Sequence, residues 1–199
     1  DFANQMNYLY APLDKTKVPH GILLDFGMDF TNVAAFNGTL TDSTYTNVNT
    51  LKQLYNTLLS SRIRNVSTGF VTPEQFNTNL ANNRSATAIA ITGLFFKYAA
   101  FNDTALANNK IIYSNGQFDD KYVNGVWQNP YEDKKTFAMT PAIKFFKGHS
   151  LTIKVPSAIF YSNYANQIQS LQIDFNNGSG YVTVPFDQNV SVSYSTSGT

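Results

Sequence analysis

The chain has 199 residues, enough for one large domain or two small ones with a buried core. A charged fraction of 14% and an apolar fraction of 43% exclude a disordered tail, and a net charge of +1 without clustered Lys or Arg excludes a nucleic-acid surface. The sequence contains no cysteine, which excludes disulfides and thiolate metal sites, and no apolar run reaches membrane-spanning length.

The residue composition indicates an exported protein. Asn and Thr are abundant, and Glu occurs only at Glu74 and Glu132. A surface wetted by Asn, Thr, Ser and Tyr is typical of secreted and cell-surface proteins, and export without disulfides favours a bacterial source. The chain begins at Asp1, which fits a removed signal peptide or a trimmed end.

The first part of the chain carries mostly helical signals. Apolar spacing predicts a short helix over 2–10 and a longer one over 51–63. Between them, the apolar run 21–27 lies between glycines and predicts a buried strand. A further helix is predicted to start at Thr72, which acts as the N-cap while Gln75 completes a capping box.

The middle of the chain is predicted to contain one long strand and then a loop. Residues 86–98 are β-branched and aromatic, with Gly93 as a bulge or bend. Residues 101–129 are loop-like, with 111–113 as their only strand. We place the domain boundary between 129 and 140.

Alternating apolar residues predict four strands in the last part of the chain. They lie within 151–155, 171–175, 182–186 and 190–194. Asn176-Asn177-Gly178 supplies the positive-φ residues of a hairpin turn. The pattern stops where a further strand is expected, so we expect the chain to be the front part of a longer protein.

Together these elements predict an α+β N-terminal domain over 1–130, followed by an incomplete Ig-like antiparallel β-sandwich over 136–199.

Four residues are candidates for catalysis by residue type, namely His20, Asp25, Asp29 and His149. His20 and His149 are the only histidines, and neither stands at metal-ligand spacing from another ligand, so we interpret both as loop or strand-end residues. Asp25 and Asp29 flank Gly27 at the end of the predicted strand and suit a glycosidase-like acid and base. The interpretation we favour is that Asp25 caps the following turn.

Two further patterns suit ligand binding. Asp174, Asn176 and Ser179 offer hard oxygen ligands for calcium, although a plain hairpin turn explains the same residues. The aromatic residues Tyr122, Trp127 and Tyr131 lie in an Asn- and Gly-rich stretch and suit a carbohydrate platform. The alternative is that these rings fix a loop onto the core.

Three segments carry a resemblance to known proteins. These segments are Ala11–Gly27, Phe36–Thr39 and Ser150–Gly198. They resemble the N-terminal region of large exported Bacteroidota proteins, which are typically cargo of the type IX secretion system. The resemblance implies export to the outer surface or medium. Some such proteins carry a hydrolase-like domain further on, but no G-x-S-x-G nucleophile elbow occurs in this chain.

The resemblance also implies O-glycosylation at Asp-Ser/Thr followed by a small or aliphatic residue. Asp42-Ser43-Thr44 and Asp103-Thr104-Ala105 match, which makes Ser43 and Thr104 acceptor candidates.

Our functional hypothesis is a non-catalytic module of a secreted or cell-surface bacterial protein, which binds a glycan or a surface or secretion-complex protein. The first alternative is the N-terminal portion of a secreted hydrolase whose active site lies downstream or uses Asp25 and Asp29. The second is a subunit that pairs with a partner through an unpaired strand edge.

Overall fold

A computed structural model describes residues 2–26, 33–39, 46–63, 67–143, 146 and 148–195. The described α-helices are α1 (Phe2–Leu9), α2 (Val48–Ser60) and α3 (Pro73–Asn82). The described strands are β1 (Ile89–Phe101), β2 (Ile111–Ser114), β3 (Gln117–Asp120), β4 (Tyr122–Val123), β5 (Val126–Trp127), β6 (Tyr131–Pro141), β7 (Ser150–Lys154), β8 (Phe160–Ser162), β9 (Gln172–Asp174), β10 (Tyr181–Thr183) and β11 (Asn189–Ser193).

The largest sheet has five strands. Its path is β11-β7-β1-β6, and β8 also pairs with β1. β11 runs antiparallel to β7 over five residue pairs, whereas β7 and β8 run parallel to β1. Three antiparallel hairpins, β2–β3, β4–β5 and β9–β10, complete the described strands. Helices followed by mostly antiparallel strands make this an α+β chain, which confirms that part of the prediction.

The chain divides into two compact units built from alternating segments. The first unit comprises Asp1–Asn37, Gln53–Ser67 and Lys97–Thr136, and the second comprises Gly38–Lys52, Thr68–Phe96 and Phe137–Thr199. The division into domains at 1–130 and 136–199 stays a prediction.

Each unit has its own apolar core. Buried residues of the first unit form two clusters, one of Tyr10, Leu13, Ala105 and Ile111, and another of Val18, Leu23, Ile63 and Ala99. The core of the second unit is formed by Ile89, Ile91, Ile153, Val155, Leu171, Val184 and Val192. Burial of this kind contributes about 1.5–3 kcal/mol for each large aliphatic side chain.

Two element predictions were wrong. In the segment predicted as a strand over 21–27, the described residues 21–26 do not form a regular strand, since Ile22 and Leu23 form only isolated bridges and a 3-10 helix follows at Leu24–Phe26. Both side chains are fully buried, so the apolar run signalled burial and not strand pairing. The segment 101–129 holds more than the one strand predicted at 111–113, because β3, β4 and β5 follow β2.

Candidate functional site: an aromatic hairpin

The hairpin β4–β5 in the first unit presents two aromatic side chains on one face. Asn124 and Gly125 form its two-residue turn with φ values of 49° and 79°, the positive values that a tight hairpin needs. Tyr122 stands opposite Trp127. Because Gln128 N donates to the Lys121 carbonyl at the next position, Tyr122 and Trp127 form a non-hydrogen-bonded pair, whose side chains lie closest together.

Trp127 is held in place by polar contacts. Its indole Nε1 donates to Oδ1 of Asp120 at 2.7 Å, and Oδ2 of the same carboxylate accepts from the backbone N of Asp14 at 2.6 Å. The Nζ atom of Lys17 lies 5.6 Å from the centroid of the indole ring, a cation–π contact. The ring is therefore fixed before any ligand arrives.

The ring of Tyr131 contacts the indole ring of Trp127. Its ring lies 6.1 Å from that of Trp127 and 5.1 Å from that of Phe101. The hydroxyl is buried and has no hydrogen-bond partner among the described residues. Burial, followed by the charge of Asp120, raises the pKa of Tyr131 well above its ordinary value.

Exposure separates the roles of the three predicted aromatic residues. The side chain of Tyr122 is 49% exposed, while Trp127 and Tyr131 are partly buried. The structure therefore brings the trio together, with Tyr122 outermost and Tyr131 packed towards Phe101. On the other face of the hairpin, Val123 and Val126 are also exposed. The binding role of Tyr122, Trp127 and Tyr131 stays a prediction.

The predicted calcium residues serve the turn between β9 and β10. Oδ1 of Asp174 accepts from the backbone N of Asn176 at 2.8 Å, and Oδ1 of Asn177 accepts from that of Ser179 at 3.1 Å. These bonds are typical Asx turns. Over the described ranges, no three or more His, Asp or Glu side chains gather as a metal site would require. Calcium binding stays a prediction.

A charged cluster that sequence reasoning missed lies around Asp133. Nε2 of His20 lies 3.1 Å from Oδ1 of Asp133, and Nζ of Lys97 lies 2.7 Å from Oδ2. The backbone N of Ile22 donates to His20 Nδ1 at 3.5 Å. Burial lowers the pKa of His20, although the Asp133 carboxylate opposes this shift. Since 113 positions separate His20 from Asp133, no local pattern announces the pair.

Asp25 has a structural contact. Its Oδ2 accepts from the backbone N of Phe101 at 2.7 Å, which fixes the end of β1. Its charge adds to burial in raising the pKa of Tyr10 to about 12. Asp29, its predicted catalytic partner, lies outside the described residues.

The two glycosylation candidates differ in what can be described. Thr104 is exposed, and its hydroxyl donates to Oδ1 of Asn102 at 2.6 Å and accepts from Nδ2 of Asn108 at 2.8 Å. Ser43 lies outside the described residues.

Comparison with known proteins gives no relative from which a role could be transferred. No protein-family model, no curated protein and no solved structure matches this chain. Within the described part of the chain, no helix combines the length and the apolar character needed to cross a membrane.

Proposed function

We propose that this protein is a non-catalytic module of a secreted or cell-surface bacterial protein, and that it binds a glycan through the Tyr122 face of hairpin β4–β5. The observation that carries the proposal is the cross-strand pair of a half-exposed Tyr122 with a Trp127 fixed by Asp120. A sugar ring offers an apolar face that stacks on an aromatic ring, and a fixed ring loses little conformational entropy on binding.

The surroundings of the pair supply polar groups. Asn124, Gln128 and Asn129 lie within or just beyond the hairpin, and amide side chains both donate to and accept from sugar hydroxyls. Lys17 covers part of the indole. We therefore assign Tyr122 as the ring on which the sugar stacks, and Trp127 as the immobilised ring that supports Tyr122.

A glycan array tests this function. Wild-type protein is expected to bind at least one class of glycan, and Tyr122→Ala is expected to lose that binding. Tyr181→Ala is the matched control, because Tyr181 is 60% exposed but lies on β10 in the other unit. Equal binding by Tyr122→Ala and wild type would contradict the assignment.

We propose the remaining features of the same module on sequence grounds. They are export by the type IX system, O-glycosylation at Ser43 and Thr104, calcium at the Asp174 loop, and an incomplete Ig-like sandwich over 136–199. The exposure of Thr104 supports modification there, and the β9–β10 hairpin beside an antiparallel β7–β11 pair supports the sandwich. Intact-mass and peptide mass spectrometry of protein from its native source tests the glycosylation.

The alternative is the N-terminal portion of a secreted hydrolase whose active site lies downstream or uses Asp25 and Asp29, and of these two carboxylates only Asp25 lies in the described part of the chain. Asp25→Asn is expected to abolish hydrolysis if the carboxylate is catalytic. The bond from Phe101 N favours a structural role, in which Asp25→Asn lowers the stability of the fold without acting on a catalytic step.

A further inference from the structure

Strand β7 is paired along only part of one edge. Its parallel register with β1 consists of Ile89↔Ile153 and Ala90↔Lys154. Continuing that register would place residues 86–88 opposite Ser150–Thr152, but β1 begins only at Ile89. The first three residues of β7 therefore have β11 on one side and no strand of the described chain on the other.

The phase of the β7–β11 ladder decides where the backbone groups point. Tyr194 N donates to the His149 carbonyl at 2.8 Å, so 149 and 194 are a hydrogen-bonded pair. In an antiparallel ladder such pairs recur at every second residue, which makes Leu151 the next residue to bond β11. The N–H groups of Ser150 and Thr152 consequently face away from β11, towards the open side.

A cavity of about 330 Å³ adjoins this stretch of β7. It is lined by residues 85–89, by Ile143 and Phe146, by Ser150–Thr152 and by Ser191–Ser193 of β11. We call this space the wedge. Its volume lies at the lower end of the roughly 300–1,000 Å³ that ligand pockets span.

The lining of the wedge is uncharged and two-sided. Each described residue that lines it is Ala, Ser, Thr, Ile, Leu, Val or Phe. Leu151 and Val192 point to the apolar core, while Thr152 and Ser191, which face each other across the ladder, lie on the opposite side of the sheet. Small hydroxyls therefore lie on one side of the sheet, and aliphatic groups lie on the other.

We propose that the wedge binds an uncharged, extended peptide segment of a partner polypeptide by strand addition to β7. An extended backbone presents N–H and C=O groups at the two-residue spacing of Ser150 and Thr152. Its alternate side chains then meet the aliphatic side and the hydroxyl side. The lack of charge in the lining disfavours acidic and basic peptides, because a buried charge would remain unpaired there. This site is independent of the aromatic hairpin.

Amide hydrogen exchange read by NMR tests the proposal. In the free chain, the amides of Ser150 and Thr152 are expected to exchange faster than that of Leu151, which bonds β11. The probe is the capped peptide Asn-Val-Ser-Val-Ser-Tyr, the sequence of residues 189–194, which has the required alternation and no charge. At a peptide concentration roughly ten times its Kd, exchange at Ser150 and Thr152 should slow about tenfold. A fully N-methylated peptide should have no effect.

Two substitutions locate the site. Thr152→Pro removes the N–H that faces the wedge and should abolish the protection. Asn189→Pro is the matched control, because the N–H of Asn189 also faces the outer edge of β11 and Asn189 does not line the wedge, so this variant should keep binding. If Thr152→Pro does not fold, Ala86→Trp, which fills the wedge, is expected to give the same loss.

Three results would overturn the proposal. The first is a lack of protection by the peptide at millimolar concentration. The second is protection of Ser150 and Thr152 that rises with protein concentration alone, which would make a second copy the occupant. The third is protection at every dilution without peptide, which would mean that the chain itself fills the wedge.

Discussion

Trp127 and Asp120 are joined by a hydrogen bond of 2.7 Å from the indole Nε1 to Oδ1 of the carboxylate. The other oxygen of Asp120 accepts from the backbone N of Asp14. One carboxylate therefore connects β3, β5 and the segment before the 3-10 helix Lys15–Lys17. This connection sets the orientation of the hairpin face on which Tyr122 lies.

Removing the carboxylate should loosen the hairpin. Asp120→Ala deletes two hydrogen bonds to an ionised group, and we expect the free energy of unfolding to fall by about 1–3 kcal/mol. Trp127 is the only tryptophan, so its emission should shift to the red as the ring gains solvent. Urea unfolding followed by fluorescence measures both effects. Asp103→Ala, an exposed aspartate of the same unit, should change neither, and an unchanged emission in Asp120→Ala would contradict the role of this bond.

The hydroxyl of Tyr131 should contribute no stability. It is buried without a hydrogen-bond partner among the described residues, so Tyr131→Phe removes a desolvated polar group. The free energy of unfolding should stay the same or rise by about 1 kcal/mol. Tyr98→Phe is the matched control, since its hydroxyl donates to the Val33 carbonyl at 3.3 Å and its loss should cost about 0.5–1.5 kcal/mol. A larger loss in Tyr131→Phe than in Tyr98→Phe would show that the hydroxyl is paired.

His20 should make stability depend on pH in the weakly acidic range. Burial lowers its pKa in the folded state, so as pH falls below about 6.5 the unfolded chain takes up the proton first. The stabilisation is therefore complete above pH 6.5 or so and is lost as pH falls towards the folded pKa. Urea midpoints between pH 7 and 5 measure the slope.

His20→Asn should flatten that slope, and His149→Asn, at an exposed site, should keep it. The contribution of Asp133 to stability changes in a separate, more acidic pH range. Although burial opposes it, hydrogen bonds from Lys97 and His20 lower the pKa of Asp133, so its contribution is lost only below about pH 3.9. Equal slopes for His20→Asn and wild type would contradict the assignment to His20.

Gly69 should tolerate no side chain. Its φ of +80° lies in the left-handed region, and an added Cβ would overlap the backbone carbonyl group of Ser162. Gly69→Ala should lower the free energy of unfolding by about 3 kcal/mol or more, from left-handed strain and overpacking together. Gly38 has a φ of +93°, but no atom of the described residues lies within 4 Å of an added Cβ, so Gly38→Ala is expected to cost only the strain of about 1–2 kcal/mol. Thermal unfolding of the two variants measures the difference, and equal losses would remove the overlap as a cause.

Features encoded by neighbouring residues could be predicted from the sequence. The capping box of α3 is observed as predicted, with Gln75 N donating to Thr72 Oγ1 at 3.2 Å and Thr72 N to Gln75 Oε1 at 3.1 Å. The hairpin after Leu171 is likewise present, because its turn residues and alternation are local signals. The sequence also indicated that Tyr122, Trp127 and Tyr131 lie close together along the chain.

Features that depend on distant residues could not be predicted. The strand predicted at 111–113 is observed as β2, but β3, β4 and β5 are short and contain no buried residue, so they lack the apolar alternation that marks a strand. The tertiary fold determines which side chains contact Trp127 and His20, so these contacts could not be read from neighbouring residues. The wedge depends on where β1 starts relative to β7, which no local pattern encodes.

The most direct test of the glycan-binding claim is the indole N–H resonance of Trp127, the only one the chain has, in a titration with the soluble oligosaccharide that binds best on the array. Our account predicts that this resonance shifts with saturation, together with the backbone amides of Tyr122 and its neighbours, and that Tyr122→Ala abolishes the shift. Saturable binding that leaves the Trp127 resonance unchanged, or that survives in Tyr122→Ala, would contradict it.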